Sequence, residues 1–319
     1  KKKKIRTMDL AGLGTSLEYR QDSRRDKDRG NTGLLVTGDR EVVNFEALSN
    51  YMFSEISRGE VTIGYGDTDL EDNDDKENDT SFRLDFSFTR NLSEIFENTT
   101  GLLNFSYMNY QSDNENLFPA TNFTRFQDYD SDIFQAYAGF SRQISELFSY
   151  FVQVGASYTK TTEGTKTRQV VTVQGNPVAF DSPRTETSDS NVGAVLVSGV
   201  NYSGLYTDIG FSLSHDVRGG TGTNGTVERS RIALDISRRI TREFSLTLDT
   251  SLYLNTNERE NQADLDELTF NFQPGFRYRF GENWILSGGF RFTSEDDREN
   301  NVTTDRNLVY FQLRKDFEL

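Results

Sequence analysis

DELTFNFQPGFRYRF, residues 266–280, alternates from end to end. Leu268, Phe270, Phe272, Phe276, Tyr278 and Phe280 share one parity; Thr269, Asn271, Gln273, Arg277 and Arg279 occupy the other. Successive side chains of a strand point to opposite faces, so one face of this strand is apolar and the other polar and charged. After Gly281-Glu282-Asn283 the pattern resumes, with Trp284, Leu286, Phe290 and Phe292 against Ser287, Arg291 and Thr293. Phe82, Leu84, Phe86 and Phe88 oppose Arg83, Asp85, Ser87 and Thr89 in the same way. So do Phe244, Leu246, Leu248, Leu252 and Leu254 against Ser245, Thr247, Asp249, Ser251 and Asn255. No helical periodicity of comparable length occurs, and the chain reads as all-β.

Composition narrows the class. Of 319 residues, 34% are hydrophobic, and Lys+Arg 35 against Asp+Glu 50 leaves a net charge of −15. So polar a chain would be disordered if it could not bury apolar surface. Phe 25, Tyr 14 and only Pro 4 argue for ordered sheet instead. The longest apolar runs are short pieces such as Ala194-Val195-Leu196-Val197, far below the ~18 residues of a membrane helix. Cys 0 removes disulfide scaffolds and thiolate metal sites. The acidic balance leaves no basic face for nucleic acid. Lys1–Lys4 is followed by no apolar core and does not read as a signal peptide.

The links between strands alternate in length. Short ones are Ser57-Arg58-Gly59, 91–98, 144–148, Ser203-Gly204, Ile240-Thr241-Arg242 and 281–283. Long polar ones fall between them, at 67–80, 111–130, 161–186, 218–226, 257–264 and 295–301. That alternation is the mark of a transmembrane up-and-down antiparallel β-barrel with short periplasmic turns and long, acidic external loops. The spacing predicts about fourteen strands, with a range of 12–16, in one domain spanning 1–319. A soluble β-sandwich also alternates, but it would carry shorter strands and more Pro and Gly in its turns. Aromatics flank the short turns: Tyr202, Tyr206, Phe244, Phe280 and Trp284, with Phe148 and Tyr150, form the expected interfacial girdle.

In the last strand, Val309, Phe311, Leu313 and Phe317 alternate with Tyr310, Gln312 and Arg314. This resembles the C-terminal sorting signal of bacterial outer-membrane barrels, although Glu318 and Leu319 follow the final aromatic. With turns such as Asn91-Leu92-Ser93-Glu94 and Asp/Asn-rich loops, nearly the whole chain resembles porin-like outer-membrane barrels, of the type found beside exopolysaccharide and surface-export genes. The resemblance implies an outer-membrane location, and as partners the bilayer, outer-leaflet lipopolysaccharide and the barrel-assembly machinery. A surface polysaccharide or a protein subunit is a further implied partner. Fold alone does not fix the cargo.

If the aromatic parity faces lipid, the opposite parity lines a lumen. Its charged members are Arg83, Asp85, Arg231, Asp235, Asp249, Arg277, Arg279, Arg291 and Arg314. Pairing Ile240 with Phe244 puts Asp235 opposite Asp249, and a cluster with Arg277 and Arg279 is expected to narrow the pore; wall ion pairs that merely hold shape are the alternative. The run 67–79, with Asp67, Asp69, Glu71, Asp72, Asp74 and Asp75, offers hard oxygen ligands for Ca²⁺ or Mg²⁺. Asp128, Asp130, Asp132, Glu295, Asp296 and Asp297 repeat the theme, and a solvated, self-repelling loop face is the competing reading. No other cofactor is indicated. His215 is the only histidine, and Ser212, Ser214 and Asp216 lie on the other strand face, so no hydrolytic triad is spaced and no enzyme is expected. The Asn-X-Thr triplets at Asn98, Asn122, Asn224 and Asn301 read as loop composition. Two functions remain: a channel or export conduit for hydrophilic solutes, and a closed barrel whose loops dock a surface partner.

Overall fold

The computed structural model describes residues 11–22, 39–72, 75–118, 123–173, 176–220, 225–257, 265–281, 283–298 and 301–315. They form β1 (Ala11–Asp22), β2 (Asp39–Ser54), β3 (Ser57–Asp72), β4 (Asp75–Asn91), β5 (Thr99–Phe118), β6 (Phe123–Gln143), β7 (Phe148–Val173) and β8 (Asn176–Asp181). Then come β9 (Thr185–Ser203), β10 (Thr207–Gly220), β11 (Gly225–Arg239), β12 (Phe244–Asn257), β13 (Leu265–Phe280), β14 (Trp284–Asp297) and β15 (Val302–Lys315). Every strand but β8 pairs antiparallel with its sequence neighbours along one path, and β8 pairs only with the far end of β7. Among the described residues the wall thus has fourteen strands, in line with the about fourteen that the alternation predicts.

The strands run farther than the alternation reveals. The stretches 67–80, 111–130 and 161–186, expected as loops, are largely continuations of β3–β4, β5–β6 and β7–β9. Beyond the membrane the outward face meets water while the inward face is buried at residues such as Ser112 and Gln127, so the ladder continues on backbone hydrogen bonds without an apolar outer side. The first short turn is also displaced: it is Glu55-Ile56, and Ser57 already opens β3.

Register fixes the two faces. The ladder steps Phe45, Tyr65, Phe82, Asn109, Asp132 and Lys160 are successive partners on the outward face of β2–β7. Phe270 to Phe280 covers ten steps of β13, roughly 33 Å along a strand at ~3.3 Å per residue. A tilt near 40° lays that across about 25 Å, the height of an outer-membrane apolar band. Phe280 stacks on Trp284 at 6.2 Å, Phe244 lies 6.2 Å from Phe276, and Lys315 Nζ sits 5.2 Å above the Trp284 ring, so the girdle at the turn end is continuous through β12–β15. Pro274 lies inside β13, where its missing N–H matters. The β13–β14 ladder lapses between Phe272–Phe292 and Gly275–Gly289. Gln273 compensates with side-chain bonds, accepting from Arg291 Nε at 2.7 Å and donating to Tyr310 Oη at 3.0 Å. A Cβ on Gly289 would come within 2.7 Å of the Tyr310 hydroxyl, so only glycine lets that ring cross β14.

The sheet curls until the concave face of β6 meets β10 and β11. The ends of the path, β1 and β15, share no ladder among the described residues. Their outward side chains are correspondingly bare: Leu13 is 80% and Phe311 71% exposed, against 43% for Leu246 on an inner strand.

Candidate functional site

Inward side chains divide by height. Near the turn end, Asp235, Asp249, Arg277 and Arg279 are exposed to the lumen. Near the loop end, Tyr110, Ser112, Tyr129, Ser131, Ile133, Asn255, Thr269 and Thr293 are buried on the same parity. The lumen therefore opens at one end and is packed at the other.

A leaning hairpin explains the packing. The β9–β10 ladder stops at Leu196–His215, while β10 and β11 stay paired to Gly220–Gly225. Freed from β9, the hairpin end folds over the concave face. Gln135 Nε2 on β6 donates to the Val217 carbonyl at 2.7 Å, and Asn191 Nδ2 on the inward side of β9 donates to Glu228 Oε1 at 3.3 Å. Val217 is buried on the hairpin face turned to β9, and Val227, the ladder partner of Arg218, is buried on the opposite face. This also accounts for the apolar residues on both faces of 192–200: Val195 and Val197 turn inward and line the same cavity as Ile133 and Val217.

That cavity has a volume of about 820 Å³ and is bordered by Glu18, Glu46, Arg83, Tyr137, Asp216 and Arg218 among others. A smaller space of about 300 Å³ shares Glu46, Arg83 and Tyr137 with it and adds Glu60 and Asp85. Arg83 Nε lies 2.5 Å from Asp85 Oδ2, and Ser106 Oγ donates to Asp85 Oδ1 at 2.7 Å. Both residues stand on the inward parity, where the alternation puts them.

The hairpin carries the charges that alternation did not single out, apart from Arg231. Arg218 grips one oxygen of Asp216, with Nε and Nη2 each 2.7 Å from Oδ2. Arg229 lies 3.6 Å from the other, beyond a hydrogen bond. Arg229 and Arg231 flank the Tyr253 ring at 5.9 and 5.5 Å, and Arg231 Nε donates to the Tyr253 hydroxyl at 3.2 Å. Asn255, the ladder partner of Arg229, is fully buried with neither amide atom hydrogen-bonded. A buried polar group left so costs about 1–3 kcal/mol.

Asp235 does face Asp249 in the ladder, as the Ile240–Phe244 turn dictates. The next strand offers Gln273 at that height, while Arg277 pairs with Ser245, nearer the turn. No ion pair joins Arg277 or Arg279 to the two aspartates among the described residues, so the expected cluster with them is not assembled. Arg291 and Arg314 stand on the inward parity of β14 and β15.

The acidic run lies on strands, not in a loop. Asp67 and Asp69 point outward from β3, with Asn78 donating to Asp69. Glu71, Asp72 and Asp75 are ladder positions at the hairpin end, and Asp74 lies outside the described residues. Asp128, Asp130 and Asp132 face outward on β6, where Asn109 Nδ2 donates to Asp130 at 2.9 Å and to Asp132 at 3.1 Å. No group of three or more potential metal ligands converges among the described residues. His215 points outward, its Nδ1 2.9 Å from Ser230 Oγ, while Ser212, Ser214 and Asp216 turn inward. Tyr202 and Tyr206 are exposed at the turn end; Phe311 and Leu313 are outward on β15, and Phe317 lies outside the described residues. A second aromatic row at the loop end, Tyr65, Phe82, Tyr107, Phe134 and Tyr158, went unnoticed in the sequence. Its rings are spaced 6.4 Å (Phe82–Tyr107), 4.9 Å (Tyr107–Phe134) and 6.5 Å (Phe134–Tyr158).

No protein-family model matches the sequence, and no curated protein does. Solved structures do match. The ferric citrate transporter FecA, unliganded, gives a TM-score of 0.56 at 13% identity over 97% of this chain and 52% of that one. The ferric yersiniabactin uptake receptor FyuA from Yersinia pestis gives 0.53 at 10% identity over 90% and 50%. The siderophore receptor PiuA from Acinetobacter baumannii gives 0.50 at 9% over 94% and 62%. The chain spans half to three fifths of those receptors' length, and the likeness is one of fold. That fold is the outer-membrane β-barrel and, with the apolar outer wall, it places the chain in the bacterial outer membrane.

Proposed function

We propose that the chain is an outer-membrane channel for hydrophilic solutes, with a vestibule at the turn end and the leaning β10–β11 hairpin as its constriction. The observation that carries this is the polar cavity of about 820 Å³ running up to Asp216 and Arg218 on that hairpin. Such a conduit needs no catalytic residue, only a polar wall whose charges set what passes. An export conduit for a surface polymer is the finer form of this reading, supported by the texture of the last strand and turns. Acidic side chains above the outer aromatic row would then meet the anionic headgroups of the outer leaflet, with Ca²⁺ or Mg²⁺ between them. The buried loop end of the lumen favours the second reading, a closed barrel that docks a surface partner. Single-channel recording in a planar bilayer decides: discrete conductance steps are expected, and a folded, inserted protein that never conducts would leave only the docking barrel.

A further inference from the structure

Where β10 parts from β9, two strand edges are left open. Their register ends at Leu196–His215, yet both strands continue, β9 back to Thr185 and β10 on to Gly220. Each keeps its other neighbour over that stretch, β9 pairing with β7 and β10 with β11. Among the described residues no backbone hydrogen bond takes up the facing edges of 191–195 and 216–220. An unpaired edge is a template for another strand, and here each open edge has the other beside it. Continuing the register by five steps would set Val195 against Asp216, Ala194 against Val217, Gly193 against Arg218, Val192 against Gly219 and Asn191 against Gly220.

The residues suit both places. In the leaning place, a Cβ on Gly193 would lie 3.4 Å from Val217 Cγ2, so the bare glycine makes the seat of Val217 on the inner face of β9. Two side-chain bonds latch it there, from Gln135 to the Val217 carbonyl at 2.7 Å and from Asn191 to Glu228 at 3.3 Å. In the paired place, parity would turn Val217 outward beside Ala194, just below Val192, whose outward side chain is now 72% exposed next to the gap. Val217 is the only apolar residue of Asp216–Gly220 and has the parity that the outer face demands, while Gly219 and Gly220 bring no side chain to the join. We propose that the end of the β10–β11 hairpin is a two-position flap. It leans on β6 and fills the loop end of the lumen, or it zips onto β9, turns Val217 out and uncovers the inner face of β6 and β7. Its use as a gate rests on the channel reading; the motion does not.

The chain has Cys 0, so introduced pairs are its only thiols. The full chain in detergent is treated with a mild oxidant and read by gel mobility and free-thiol count. Gly193→Cys with Val217→Cys should close in the leaning place. Ala194→Cys with Val217→Cys should close only in the paired one, since position 194 turns away from the lumen. Leu196→Cys with His215→Cys, already ladder partners and two steps along the same register, is the positive control of the same pair type. All three bonds are expected, the 194–217 bond forming more slowly than the control. Gln135→Leu removes a latch and should speed the 194–217 bond by roughly 3- to 10-fold, the weight of one hydrogen bond in a two-state ratio. A Cβ at 193 meets the Ser157 hydroxyl at 2.8 Å, so the latch variant carries the test if the first pair misfolds. A control that closes while the 194–217 pair stays reduced, with and without Gln135→Leu, overturns the flap; so does a 194–217 rate that ignores the latch. In a planar bilayer, the locked 194–217 bond should raise conductance and the locked 193–217 bond should lower it. Equal conductance in both locked forms would keep the channel and remove the gate. Both bonds forming in a barrel that never conducts would sink the channel and leave the moving flap.

Discussion

The two ends of the lumen are built from the same strands and obey different rules. At the turn end inward charges such as Asp235, Asp249, Arg277 and Arg279 stand in the open; at the loop end inward residues as polar as Ser112, Ser131, Asn255 and Thr269 are sealed from solvent. The wall alone does not make the difference. A hairpin that abandons its neighbour after Leu196–His215 covers one end and leaves the other bare. How far a lumen is filled is thus decided where a ladder ends, not only by which residues alternate.

Substitutions at the two ends should separate cleanly. Tyr129, 1% exposed in the packed half, should lose about 3–5 kcal/mol of unfolding free energy on Tyr129→Ala. Arg277→Ala in the open half should change it by less than about 0.5 kcal/mol. Denaturant unfolding in detergent compares them, and equal losses would erase the distinction. A smaller effect of opposite sign is expected from Asp249→Asn. Facing carboxylates repel, so relief should stabilise by about 0.2–1 kcal/mol. A variant no more stable than the parent would mean that lumen water screens the pair.

The least effect is expected outside the wall. The Asp181 carboxyl on β8 is held well below the usual carboxylate range by hydrogen bonds from Arg168 and then Lys166. A lowered folded value contributes stability above the unfolded value near ~3.9 and loses it as pH falls toward the folded one. Amide protection of Asn176–Asp181 should therefore hold from about pH 7 to about pH 5. It should fall in Asp181→Asn, without any shift in barrel melting. Protection that collapses already at about pH 5 would show that this ion pair does not clasp β8.

Much of this was legible in the residues. Alternation in 266–280 and its counterparts gave the wall strands and their faces, and the Ile240–Phe244 turn gave the Asp235–Asp249 register. The leaning hairpin was not legible, because Asp216–Gly220 and Gly225–Glu228 are polar and glycine-rich and carry no period for a face to be read from. Arg277 and Arg279 had the right parity and the wrong height: parity tells which way a side chain points, not how far up the wall it stands. The outer aromatic row escaped because the stretches above it looked like loops. Nor does alternation reveal that, among the described residues, β1 and β15 end the path without a ladder between them.

The outer aromatic row has a mechanical corollary. The next outward residues above Tyr65, Phe82, Tyr107 and Phe134 on their own strands are Asp67, Thr80, Asn109 and Asp132. Rings favour the headgroup level, while carboxylates dragged into hydrocarbon are penalised. The protein consequently has a waterline on this flank. Sinking by a single ladder step would draw aspartates into oil, and rising by one would strand the rings in water, so its vertical draft is set to within the rise of a residue or two.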